Sequence, residues 1–265
     1  VVAVVDAELT GGITPDFFTA VALGMVPNHT AGTRLGTNDV IPQAAFILLS
    51  NVTSVTSVGN LPSAAQQMQV VSTSASDTAA GTGAQQVEIT YLTTPAAGFQ
   101  KKTEIVTLNG ITPVLTTNTD IFRIDRFRVS RAGLMVTALG NVSLQSVGGA
   151  ATFEIIPALT NVFRSAIHWV PKGFKTNVPY RSFGVTTTGG VTFILEAFEE
   201  DASGNVVVTG NDQFDLGQGV LAGQLIPPLV VSNPNGKMIG VAIVIRGRAS
   251  NQAASGSFRF VDSPL

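Results

Sequence analysis

Gln86-Val87-Glu88-Ile89-Thr90-Tyr91 is the stretch that decides the fold class. Polar and apolar residues alternate, so an extended chain puts Val87, Ile89 and Tyr91 on one face. Pro95–Gly98 supplies a turn, and Thr103-Glu104-Ile105-Val106-Thr107-Leu108 returns. Asn109-Gly110 then favours a tight hairpin. The same grammar extends on both sides, through Met68–Thr73, Ile121–Ser130 and Val136–Leu144. Further along come Ala151–Ile156, Ser165–Val170, Arg181–Thr187, Val191–Glu199, Asn205–Thr209, Met238–Gly247 and Ser257–Val261. Gly, Pro and Asn punctuate these runs, and no 3.6-residue period is sustained. Val191–Glu199 and Asn205–Val208 read as a hairpin around Ala202–Gly204. The predicted class is all-β, with two β-sandwich (jelly-roll-like) halves at 61–150 and 151–265.

Residues 1–60 show little periodicity. Thr14-Pro15-Asp16-Phe17-Phe18 reads as the start of a short helix, and Pro27, Asn28, Gly32, Gly36, Asn38 and Pro42 follow. Such a stretch does not fit inside a compact domain, yet it carries Phe17, Phe18, Phe46 and Leu48. It reads as an irregular N-terminal arm whose apolar anchors lie on a neighbouring subunit.

Composition sets limits on function. The 265 residues include no Cys and two His, and 12% are charged, about half the usual quarter. Disulfide frameworks and Cys-based zinc sites are excluded. The net charge of −2 provides no basic field for nucleic acid. No apolar run approaches the ~18 residues of a membrane span. A charge-poor exterior fits a subunit that meets other subunits, because charges buried at contacts must be desolvated.

The sequence predicts no catalytic, cofactor-binding or metal-ligating residues. His29 and His168 are far apart, and His168 reads as a hydrogen-bonded strand residue. Glu199-Glu200-Asp201 is the one acidic cluster, at a turn, and adjacent Glu199 and Glu200 point to opposite faces of a strand. Arg123, Arg126, Arg128 and Arg131 form the densest basic group. Arg126 and Arg128 share a face and are the candidate contact with a neighbour's carboxylates or carbonyls. Trp169, Tyr91 and Tyr180 are the candidate stacking residues if a host-surface glycan is bound.

Three stretches carry a resemblance: Ser72-Thr-Ser-Ala-Ser-Asp-Thr-Ala-Ala-Gly-Thr-Gly-Ala84 leading into Val87-Glu-Ile, Thr107-Leu-Asn-Gly-Ile-Thr-Pro-Val114, and Ile156-Pro-Ala followed by Ser165-Ala-Ile-His-Trp-Val-Pro-Lys-Gly173. Over roughly 70–175 the chain resembles a family of virion structural proteins of tailed bacteriophages, especially aquatic ones. It departs from that pattern at Pro95-Ala-Ala-Gly98. The resemblance implies a β-rich virion component; with the chemistry-poor composition, the reading is a non-enzymatic virion protein, tail-associated as a fibre, fibre adaptor or baseplate-like subunit. The alternatives are a head decoration protein and a carbohydrate-binding adhesin. Low charge and abundant apolar strands point to other copies of the chain as partners, a trimer first among the possibilities, beside other virion proteins. No functional residues carry over.

Overall fold

A computed structural model describes residues 17–43, 45–52, 60–201, 205–223, 229–249 and 252–265. Among these residues one short α-helix, α1 (Phe17–Ala22), precedes seventeen strands. The first are β1 (Thr30–Ile41) and β2 (Ile47–Leu48). Then come β3 (Met68–Ser72), β4 (Ala84–Leu92), β5 (Lys101–Thr107), β6 (Val114–Leu115), β7 (Arg123–Ala132), β8 (Val142–Ser146) and β9 (Thr152–Ile156). The remainder are β10 (Ile167–Trp169), β11 (Phe174–Val185), β12 (Val191–Glu200), β13 (Val206–Leu216), β14 (Gly219–Gly223), β15 (Leu229–Asn233), β16 (Met238–Gly247) and β17 (Gln252–Pro264). All named pairings are antiparallel, and the protein is all-β as its alternating runs predict.

Two sheets built from β1, β2 and β10–β17 face each other. One runs β1-β17-β11-β14, with β15 continuing the β14 position along β11. The other runs β10-β16-β12-β13, with β2 also on β16. β2 and β10 are two pieces of one strand. Ile47 and Leu48 sit opposite Ile245 and Val244, and Ile167, His168 and Trp169 continue opposite Ala242, Val241 and Gly240. Counted as eight strands along the chain, one sheet runs first, eighth, third, sixth, and the other second, seventh, fourth, fifth. That is the order of a jelly roll. Its core includes Leu49, Phe183, Phe193, Leu195, Ile243 and Phe258.

The second strand is where the chain leaves and returns. Ala166 N–H donates to the Leu49 carbonyl at 2.9 Å, and Leu49 and Ala166 both bond to Ile243. The Ser50 and Ser165 hydroxyls are 2.7 Å apart. Between these points the chain builds another sandwich, with sheets β6-β3-β8-β9 and β5-β4-β7 around Met68, Val70, Ile89, Phe127 and Leu144. A whole sandwich is thus inserted into one jelly-roll strand, which close insertion ends permit. Gly36 of β1 allows this crossing, since a Cβ there would lie 2.2 Å from the Leu49 carbonyl oxygen.

The pairings draw the boundaries differently from the sequence. Thr30–Ile41 pairs along β17 and Ile47–Leu48 pairs with β16, so these strands belong to the jelly roll rather than to an arm. Gly32, Gly36 and Asn38 break the pattern of Thr30–Ile41, and Ile47–Leu48 is too short to show one. Thr152–Ile156 pairs with β8 and belongs to the insert, not to the second half. The β4–β5 hairpin turns through Pro95–Gly98 as expected. Asn109-Gly110 does turn, with Gly110 at φ 60°, but it carries the chain from one insert sheet to the other. β6 pairs with β3 because Val114 is needed over that sheet's core. The β12–β13 hairpin forms as read, although its tip at 202–204 lies outside the described residues. Val1–Val5 and the helix-start signal at 14–16 also lie outside them.

The Ser72–Ala84 motif has a physical explanation. Fully buried Asp77 accepts from Ser72 Oγ at 2.6 Å and from the Ala84, Leu139 and Gly140 amides at 2.8–2.9 Å. A Cβ on Gly83 would lie 2.1 Å from Asp77 Oδ1. One carboxylate therefore fixes the crossing of two loops, and Gly is required beside it.

Candidate assembly interface

The predicted contact residues occupy different environments. Arg126 and Arg128 stand on β7 with side chains 41% exposed, and both reach Glu88 on β4, at 2.6 and 2.8 Å. The hydrogen bond from Arg128, opposed by burial and helped by the Arg126 charge, holds the Glu88 carboxyl below its ordinary value. The two arginines thus have a carboxylate partner within the chain. Phe127 packs inward. Leu48 is buried in the jelly roll, and half-buried Phe46 lies 4.6 Å from the Arg246 guanidinium. Phe17 is 56% exposed and edge-on to His29. Phe18 lies against Arg259. Two stacking candidates are corrected: Trp169 and Tyr91 are both fully buried, so neither offers a ring to a glycan. Each sits on a core face where an aromatic contributes most burial.

A buried ionic junction between insert and jelly roll is the site that local sequence patterns do not reveal. Asp125 on β7 is 1% exposed. Its Oδ1 is 2.9 Å from Arg34 Nη2 of β1 and 2.8 Å from His168 Nδ1 of β10, and its Oδ2 is 3.0 Å from Lys101 Nζ of β5. His168 Nε2 lies 2.9 Å from Asp262 Oδ1 of β17, which also accepts from Thr176 Oγ1 at 2.6 Å. Both ring nitrogens thus face carboxylates. Arg34 Nη2 also lies 3.2 Å from His168 Nδ1. The ring stacks on Phe260 with centroids 3.7 Å apart. Burial alone would raise the Asp125 carboxyl, but Arg34, Lys101 and His168 outweigh it and hold it well below the usual range. Asp262 follows the same pattern, with burial opposed by His168, Lys101 and Thr176.

Nearby, Arg123 forms a second buried bridge. Its Nε and Nη2 grip both oxygens of Glu200 on β12, and Nη1 donates to the Pro62 carbonyl at 2.8 Å. Its guanidinium stacks 3.7 Å from the Phe122 ring. Leu92, Phe99 and Phe122 of the insert pack with Trp169, Phe198 and Met238 of the jelly roll around it. Glu199 and Glu200 do point to opposite faces: Glu199 pairs with Lys237 near solvent, while Glu200 is buried.

Lys101 looks like a turn lysine but pairs with a buried carboxylate, whereas Arg126 and Arg128 pair near solvent. Arg126→Ala with Arg128→Ala removes both partners of Glu88, whose side chain is 12% exposed, and is expected to cost about 1–3 kcal/mol. Lys101→Ala removes one of three cationic neighbours from Asp125 and is expected to cost a similar amount. Denaturant titration measures both.

Glu154 makes a third buried contact, at the splice. Ser165 Oγ donates to its Oε2 at 2.6 Å. Burial pushes its carboxyl up to about 8, against smaller opposing contributions from Ser165 and Arg34. Burial alone raises Glu196 to about 7. A raised acid favours the protonated folded state. The stability these groups give is full below the unfolded value and is lost as pH rises through the folded one. Unfolding temperature is therefore expected to fall from pH 5 to pH 9. Glu154→Gln is expected to flatten this slope in part, leaving the smaller Glu196 contribution; a pH series of thermal melts measures it.

Among the described residues no cluster of three or more His, Cys, Asp or Glu is placed to hold a metal ion. Among them, no helix is long and apolar enough to cross a membrane. The geometry so far defines a class: an all-β protein made of a jelly roll and an inserted sandwich, joined by buried ion pairs. No protein-family model matches the chain, and no curated protein does. Among solved structures it is similar to that of infectious bursal disease virus Gt strain, with 11% identity and a TM-score of 0.24, covering 94% of this chain and 78% of that one. The infectious bursal disease virus VP2 subviral particle gives 11% and 0.24, with 94% and 78% covered. An isomalto-dextranase of Arthrobacter globiformis T6 gives 12% and 0.21, covering 86% of this chain and 35% of that one. TM-scores of this size do not establish a shared fold, and the jelly roll rests on its own strand order.

Proposed function

We propose that the protein is a non-enzymatic structural component of a tailed-bacteriophage virion, acting through assembly contacts and located at the tail as a fibre, adaptor or baseplate-like subunit. The observation that carries this reading is where the ionisable groups go. Arg34, Lys101, Arg123, Asp125, His168, Glu200 and Asp262 are committed to holding two β units together. That use suits a body that must transmit load and present surfaces without changing shape. The chain carries few charges to begin with, and a charge-poor exterior favours contact with other subunits. The resemblance of residues 70–175 to phage virion proteins supports the same reading.

A second location within the virion has its own support. Jelly rolls occur in viral capsid domains, and in lectins and cupins as well, so the strand order favours a head-shell or decoration subunit over a fibre. Immunogold labelling of purified particles tests both. Label on the tail supports the first location and label on the head supports the second. A protein found in infected cells but not in particles overturns the virion role.

A further inference from the structure

The end of the insert farthest from the junction exposes an unusual set of side chains. β7 starts at the junction with Arg123 and ends at Ala132, nine steps or about 30 Å away. The loop that follows exposes Leu134 by 88%, Met135 by 54% and Val136 by 68%. Beside it stand Leu159, 70% exposed, and Val162, 39% exposed. Together they present on the order of 600 Å² of apolar-residue surface, the top of the range for the largest patch on a monomer and near the ~800 Å² each partner gives to a standard interface.

This tip is built rather than loose. Val136 and Leu159 hold left-handed backbones, φ 63° and 62°, which a β-branched Val adopts only under constraint. The constraint is a set of hydrogen bonds between the loops. Asn161 Nδ2 donates to the Val136 carbonyl at 2.9 Å, Leu159 N–H to the Ala138 carbonyl at 2.8 Å, and Met135 N–H to the Thr82 carbonyl at 2.9 Å. A fixed tip loses little entropy on docking.

Area and charge both fit a second copy as the occupant. Residues 132–141 and 155–163 contain no charged side chain. A symmetric contact brings a patch against itself, so any net charge would repel its own copy, and this patch has none. A lipid surface is favoured less, since the tip has no Trp or Tyr and Arg131 is the one exposed cation beside it in sequence. We infer that the Leu134–Val136 loop with Leu159 and Val162 is a homotypic contact, docking against the same tip of a second copy of this chain. The inference deepens the assembly role proposed above by naming its partner, and self-association in solution tests it without reference to a particle.

Sedimentation velocity of the purified chain up to about 300 μM is the experiment, with Leu134→Asp plus Leu159→Asp as the tip variant. Val207→Asp, on exposed β13 of the jelly roll, is the matched control. The wild type and the control are expected to self-associate alike, and the tip variant to do so at least tenfold more weakly with an unchanged melting temperature. A wild type that stays monomeric throughout, or a tip variant that associates as the control does, overturns the contact. Flotation with anionic vesicles that the tip variant loses, without self-association of the wild type, would assign the tip to lipid and overturn it equally. Label on particles with no self-association leaves the virion role standing and removes only this contact.

Discussion

Replacing Arg123 by Met is expected to lower the free energy of unfolding by about 3–5 kcal/mol, because it strands Glu200 as a buried, unpaired charge. The two side chains are 3% and 5% exposed, so water cannot take over the lost partner cheaply. The cost is one of desolvation rather than of a missing attraction, and that distinction can be tested. Removing both charges together, as Arg123→Met with Glu200→Met, is expected to restore most of the loss, since an apolar pair of similar volume is compatible with the surrounding Phe122, Trp169 and Phe198. Chemical denaturation of the single and double variants measures both. A double variant as unstable as the single one would mean that the pair itself, rather than the orphaned carboxylate, is decisive.

Asp125→Asn is the second large expected effect, again about 3–5 kcal/mol. Asn keeps the shape but removes the negative charge that Arg34, Lys101 and His168 share. The loss should fall at the junction: amide exchange is expected to quicken at β7 and β10 before it does in the core of β12 or β16. The pH dependence has a definite sign. The folded Asp125 carboxyl lies well below its ordinary value, so its contribution is present above the unfolded pKa of ~3.9 and is lost as pH falls through the folded one. The variant should therefore have a lower plateau at neutral pH and a shallower acid limb. A melting temperature equal to that of the wild type at neutral pH would show that the cluster does not join the two units.

Periodicity explains what could be read in advance. The alternation at 86–91 and 103–108 reports strands with one buried face, and the β12–β13 hairpin follows from its turn residues. The split strand could not be read this way. Ile47–Leu48 and Ile167–Trp169 are too short to show a period, and a whole sandwich separates them. Phe46–Leu49 looks like loop, and Ser165–Val170 like a strand of its own, until β16 pairs with both. The ionic junction was hidden for the same reason. Arg34, Lys101, Asp125, His168 and Asp262 come from five strands, and only the fold brings them together. The clue that was available is compositional: in a chain so poor in charge, a His and two Asp inside apolar strands need buried partners. Arg126 and Arg128 show the opposite error. Their spacing correctly placed them on one face, but spacing says nothing of Glu88 across the sheet.

Density for this chain in an intact particle tests the functional account most directly. Cryo-electron microscopy of purified virions, with the jelly roll and insert fitted as one body, is the measurement. The account predicts repeated copies at a defined position on the tail or head, with the jelly roll and insert in the same relative arrangement in every copy. Particles whose reconstruction and protein content lack the chain entirely would contradict it.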